Sequence, residues 1–211
     1  MKHLIVDIEC TCWSKDDPHR DPHETIEIGA VLVDEDFNIL GELDLFTLPQ
    51  FNKRLSQYCI DLTGITQKML DEKAIPFPAA IEKLKTLIDP ETLFCSWGDF
   101  DKNQLMKDCE SHKIPYPFEN HFNIKKEFSS IMHRPRCGLQ KACRLMNLRF
   151  NGTPHRGIDD AHMIREVFQR FSKIKEAQLD SDGYDFMDKD INGRHETVTL
   201  IIKKHLAEKE E

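Results

Sequence analysis

Apolar residues return along this chain with two periods, and each period belongs to a different kind of element. Runs in which apolar positions alternate or follow one another directly occupy residues 3–9, 24–33, 39–48, 92–97 and 122–124, and each predicts a β-strand. The polar stretch 14–23, rich in Pro and Asp, predicts a loop, and residues 34–38 predict a turn that makes 24–33 and 39–48 an antiparallel hairpin. Spacings of three and four predict helices elsewhere. Thr66 is placed to cap one that runs through Leu70, after a tight turn at residues 62–66. Pro76-Phe-Pro78 opens a second, with Ala80, Ile81, Leu84, Leu87 and Ile88 on one stripe. Residues 99–109 and 138–148 follow, and 158–171 carries Ile158, Ala161, Ile164, Phe168 and Phe171 in helical register. Residues 180–192 read as a polar, acidic loop, and 197–202 fit a strand or a helix equally. An early hairpin followed by alternating strands and helices predicts an α/β fold: a mixed sheet, first antiparallel and then parallel, flanked by helices.

A chain of 211 residues is long enough for one well-buried α/β domain and short for two. No apolar run approaches the ~20 residues that span a bilayer. Asp7 interrupts the first apolar stretch, so no signal-peptide core is evident and a cytoplasmic protein without membrane association is expected. Seven scattered cysteines include no C-x-x-C pair, which argues against a zinc ribbon or a disulfide framework and for small buried thiols. The net charge of −8 opposes indiscriminate nucleic-acid binding, yet its distribution is uneven. Residues 125–156 hold Lys125, Lys126, Arg134, Arg136, Lys141, Arg144, Arg149 and Arg156 against the single acid Glu127. That segment reads either as a phosphate track or as the solvated faces of two helices.

The chemistry begins with Asp7 and Glu9, which close the first strand with one residue between them. Side chains alternate faces along a strand, so both carboxylates project the same way. Two carboxylates leaving a buried strand together repel each other, and ionising both calls for a counter-charge, most simply a divalent cation. Asp101 falls in the first turn of the helix after the 92–97 strand, and Asp160 in the first turn of the helix beginning near 158. Taken singly, either acid would serve to complement a helix dipole. Together, three elements bring four carboxylates to the sheet edge where α/β folds bind ligands. Such a set suits two hard cations, Mg²⁺ or Mn²⁺, roughly 3.5–4 Å apart. His155 lies between Thr153-Pro154 and Gly157, which place it on a loop free to reach the same site. A histidine there can take a proton from water near neutral pH.

These residues resemble the DEDDh 3′–5′ exonuclease superfamily, and the fold it implies is ribonuclease-H-like. Asp7-Ile-Glu9 matches its D-x-E motif, Asp101-Lys-Asn-Gln-Leu105 the second motif, and His155-Arg-Gly-Ile-Asp-Asp160 the H-x(4)-D motif. The longer strings Glu9-Cys-Thr-Cys-Trp13, Leu62-Thr-Gly-Ile-Thr66, Cys95-Ser-Trp-Gly-Asp-Phe-Asp101 and Gly157-Ile-Asp-Asp-Ala161 resemble the KapD-like branch, which includes histone-mRNA exonucleases. The similarity covers residues 1–172, predicted as the exonuclease domain; residues 173–211 are expected to be an extension packed on it. Asp99 and Asp159 are neighbouring acids, but spacing to Leu105 and to His155 selects Asp101 and Asp160.

The resemblance implies metal-dependent 3′–5′ hydrolysis of single-stranded nucleic acid, RNA favoured over DNA, releasing nucleoside 5′-monophosphates. Asp7 would bridge two cations, Glu9 and Asp160 would complete the first, and Asp101 would hold the second. His155 would deprotonate the attacking water. Thr11 and the Gly64-Ile65 turn resemble the parts that hold the terminal nucleotide. Trp13 fits either a base-stacking platform, a contact worth roughly 1–3 kcal/mol, or a loop anchor. Lys141, Arg144 and Arg149 are candidate phosphate contacts. Asp188-Lys-Asp-Ile-Asn-Gly193 imitates half an EF-hand loop, but Thr199 stands where a bidentate Glu is required, so calcium is not expected there. A rival reading is a regulatory module that keeps the fold and binds nucleic acid or a protein partner.

Overall fold

A computed structural model describes residues 1–17 and 22–180. The imitation EF-hand loop and residues 197–202 lie outside them. Among the described residues six strands form one mixed sheet in the order β4-β3-β2-β1-β5-β6. Its centre is β1 (Lys2–Cys10), antiparallel to β2 (Thr25–Val33) and parallel to β5 (Thr92–Ser96). β2 pairs antiparallel with β3 (Ile39–Leu48), the predicted hairpin. A two-residue β4 (Ile75–Pro76) and the short β6 (His121–Asn123) extend the two edges in parallel. Every residue of β2 is buried, as expected of a central strand covered on both faces.

Alternation along β1 and β2 divides the core between those faces. Leu4, Val6 and Ile8, with Ile28, Ala30 and Leu32, pack against α3 (Phe77–Lys85) and α4 (Phe100–Ser111). Ile5, Val31 and Val33 pack on the other face against α5 (Ile124–Ile131), α6 (Leu139–Leu145) and α7 (Gly157–Asp180). A third cluster joins Ile26 and Phe46 to α1 (Gln57–Thr63) and α2 (Gln67–Lys73) through Cys59, Ile65 and Leu70. Ile174, beyond residue 172, is buried in the α7-side core. Among the described residues no helix is long and apolar enough to cross a membrane. All seven cysteines are free thiols, five of them buried.

Local rules account for most boundaries. Thr66 caps α2 as predicted, its hydroxyl accepting the Met69 N–H at 3.2 Å. Gly64 stops α1 with φ of 71°, the left-handed conformation glycine adopts freely. α6 stops at Leu145, short of the predicted 148, because Asn147 turns left-handed at φ of 54°. α7 runs to Asp180, past the predicted 171. α1 and α5 carry no predicted helix: α1 buries only Cys59 and Thr63, whereas α5 buries Ile124 and Phe128 with Ile131 packed beside them, a helical spacing that the sequence does display.

Candidate active site

The row of odd-numbered side chains on β1 that begins with Ile5 continues with Asp7 and Glu9, so both carboxylates lie on the α7 face. The register slips between Glu9 and Cys10, a bulge where the strand leaves the sheet. The Glu9 side chain is 12% exposed and Asp7 is partly buried.

Asp101 arrives on α4 and is tied directly to β1. It is 4% exposed, and its Oδ1 accepts the N–H of Ile8, the residue between Asp7 and Glu9, at 3.2 Å. Lys125 on α5 passes its chain over Gly98, with Cδ 3.7 Å from where a Cβ would stand, and its charge favours ionised Asp101.

Asp160 arrives on the first turn of α7. His155 precedes it on a loop with φ of 64°. The Asp160 Oδ2 accepts the His155 backbone N–H at 3.3 Å, while its buried Oδ1 has no hydrogen-bond partner. Asp159 turns away and accepts the Thr153 N–H at 2.8 Å. The His155 Nδ1 is 3.9 Å from Glu9 Oε1. One potential ligand atom from each of Glu9, His155 and Asp160 lies within 4.8 Å of the others.

Crowding of acids in a recessed site changes their chemistry. Burial, then the charges of Asp101, Asp160, Glu9 and Glu27, pushes the Asp7 carboxyl well above its ordinary range. Burial and Asp160 raise Glu9 to about 8. Burial raises Asp160 to about 7 against the opposing His155 N–H bond, and Asp101 to about 6 against the Ile8 N–H. Crowded carboxyls whose ionisation burial and mutual repulsion oppose, one with an orphaned buried oxygen, form an oxygen donor set that fits divalent cations.

The remaining predicted residues fall around this centre. Thr11 is 2% exposed, and its hydroxyl accepts the Glu24 N–H at 3.0 Å. The Trp13 ring lies 5.8 Å from His23, which meets exposed Phe100 edge-on at 6.4 Å. Ile65 is fully buried in the α1–α2 core beside the Gly64 turn. Lys141, Arg144 and Arg149 are exposed. Arg156 departs from the phosphate-track reading: it turns inward onto Glu27. Sequence reasoning singled out neither Glu27 nor Phe100. The signal for Glu27 was an acid between apolar neighbours in a strand buried on both faces, where an unpaired charge is untenable.

Residues 4–168 match the RNase_T family, described as exonuclease, and the chain belongs to that family. It is 28% identical over 179 residues to rat 3′-5′ exoribonuclease 1, the match covering 79% of this chain and 51% of the relative. It is 33% identical to the Drosophila melanogaster 3′-5′ exonuclease Snipper, covering 75% of this chain and 64% of the relative. The chain thus spans about half the length of the mammalian exoribonuclease 1 relatives it matches. The nuclease domain of 3′hExo, a DEDDh family member solved with rAMP bound, superposes with a TM-score of 0.73 at 27% identity. That match covers 82% of this chain and 92% of the domain, and the shared fold is ribonuclease-H-like.

Proposed function

We propose that this chain is a divalent-metal-dependent 3′–5′ exonuclease that removes nucleoside 5′-monophosphates from single-stranded RNA 3′ ends, and less readily from DNA. The observation that carries the reading is the gathering of Glu9, His155 and Asp160, the last with a buried Oδ1 that has no hydrogen-bond partner. Asp7, Glu9, Asp101 and Asp160 would hold two cations, Mg²⁺ or Mn²⁺. When bound, these cations supply Lewis acidity and neutralise charge on the scissile phosphate.

The chain's own residues do the rest. His155, 46% exposed and beside Glu9, accepts a proton from the water that attacks phosphorus. The new P–O bond forms as the bond to the 3′ oxygen of the preceding nucleotide breaks in line. Asp101 is held rigidly by the Ile8 N–H, so the carboxylate bed needs no rearrangement during turnover. Exposed Phe100 beside Asp101, with Tyr58 and Leu62 on α1 before the Gly64-Ile65 turn, offers apolar surface for the terminal base. Trp13 extends that surface, and Lys125, Lys141 and Arg144 supply cations for the phosphates. RNA is favoured because relatives in the family are named exoribonucleases.

The test uses 5′-labelled single-stranded RNA and DNA with Mg²⁺ or Mn²⁺. The expected result is a ladder shortening from the 3′ end, abolished by EDTA and by Asp101→Ala. Scattered internal cuts would indicate an endonuclease on the same fold. Stable binding of RNA or a protein partner without any cleavage would favour the regulatory reading.

A further inference from the structure

Glu27 lies on β2 directly opposite Glu9, in antiparallel register, on the face that α7 covers. Two carboxylates at that spacing repel each other. Glu27 is fully buried, yet both its oxygens are engaged from the other side. Its Oε1 accepts Arg156 Nε at 2.9 Å and Nη2 at 2.6 Å, and its Oε2 accepts the Gly157 N–H at 2.7 Å. Arg156 is further flanked by Asp44 Oδ2 at 3.8 Å and by the Phe46 ring, 5.3 Å from its centroid.

Two glycines let the backbones meet there. A Cβ on Gly29, the residue opposite Asp7, would lie 2.0 Å from the Gly157 carbonyl carbon, and one on Gly157 would lie 2.9 Å from the Asp7 oxygen. The amino end of α7 therefore rests on the two strands beside Asp7. The residues pinned to Glu27, at 156 and 157, immediately follow His155 and precede Asp160.

We propose that Glu27 and Arg156 form a latch that positions His155 and Asp160. They act on turnover rather than by binding phosphate or cation. The proposal rests on the exonuclease reading. Both oxygens of Glu27 are engaged by Arg156 and Gly157, which sets it apart from Asp160 with its unpartnered oxygen. Arg156 directs its guanidinium into the sheet, so it is not part of the basic track.

The test compares wild type with Arg156→Lys, Glu27→Gln and the double variant Glu27→Gln/Arg156→Met. The double variant leaves no buried charge uncompensated, so it keeps the fold where Arg156→Met alone can fail. With a 5′-labelled RNA oligonucleotide, kcat should fall about 10-fold in Arg156→Lys and about 10- to 100-fold in both Glu27→Gln and the double variant, with KM within about 2-fold. The rise in Tm on adding Mn²⁺ should persist. The double variant should be no slower than the slower single variant, because both break one latch.

Wild-type kcat in the double variant would overturn the proposal, leaving the pair merely structural. A rise in KM that steepens with salt would make Arg156 a phosphate contact. Loss of the Mn²⁺ effect in Glu27→Gln, with its retention in Arg156→Lys, would make Glu27 itself a ligand. Each result also sinks the latch. A second readout needs no activity: the His155 imidazole NMR signals should be displaced from free-histidine positions in wild type and collapse toward them in the double variant. If wild type does not shorten RNA, the exonuclease reading falls, and the His155 signals alone decide whether the latch holds that loop. Unchanged signals would refute it.

Discussion

The two halves of the site are built on opposite principles. The carboxylates project from the regular core: Asp7 and Glu9 extend a buried row on β1, and Asp101 and Asp160 are 4% and 9% exposed on first helical turns. His155 instead stands on a loop, half exposed, at a positive φ that costs a non-glycine residue about 1 kcal/mol or more. That loop is held by hydrogen bonds from its backbone: Thr153 to Asp159, His155 to Asp160, and Gly157 to Glu27. Cation ligands need fixed geometry, and strands and helices provide it. A proton acceptor must approach water and then release the proton to solvent, which an exposed loop permits.

Variants can break or sharpen this contrast. The largest effect is expected at the rigid half. Asp7→Ala should lower kcat by more than ~10³-fold, because several kcal/mol of charge stabilisation at the phosphate depends on the cations, and it should erase the Mn²⁺-induced rise in Tm. A variant that keeps the thermal effect of Mn²⁺ would remove Asp7 from the ligand set. At the loop, His155→Ala should cost roughly 10²–10³-fold in kcat, within the range of a lost general base, while the Mn²⁺ effect on Tm survives. Loss of that thermal effect would make His155 a ligand, and the contrast between the halves would collapse.

Proton linkage gives a third check. Glu9, Asp160 and Asp101 are raised to about 8, 7 and 6 from ordinary values of 4.5, 3.8 and 3.8. The folded chain then holds protons that the unfolded chain has released, so stability falls as pH rises from about 4 through about 8. In EDTA, Tm should be lower near pH 8 than near pH 5, and Mn²⁺ should recover more of it at the higher pH. An equal Mn²⁺ gain at both pH values would contradict the raised carboxyls. The smallest effect is expected from Asp159→Ala. Losing the Thr153 hydrogen bond should loosen the loop by ~1 kcal/mol and lower kcat about 5-fold, with KM and the Mn²⁺ response unchanged. A change in KM would show that the loop also carries substrate.

The sequence by itself determined the elements with strong periods, the hairpin, the mixed sheet and the spacing of Asp7, Glu9, Asp101, His155 and Asp160. These are local properties: alternation sets the face of a strand residue, and a cap or a proline sets where a helix starts. Helix α1 escaped because it buries only two residues and its stability comes from packing rather than pattern, whereas the Ile124, Phe128 and Ile131 stripe of α5 is present in the sequence. Only the tertiary structure decided how the parts meet. Glu27 and Arg156 are 129 residues apart, Ile8 and Asp101 are 93 apart, and no periodicity encodes either bond. The fold turned Arg156 from a plausible phosphate contact into the partner of a buried acid, because a carboxylate sealed inside a sheet must find a cation within reach.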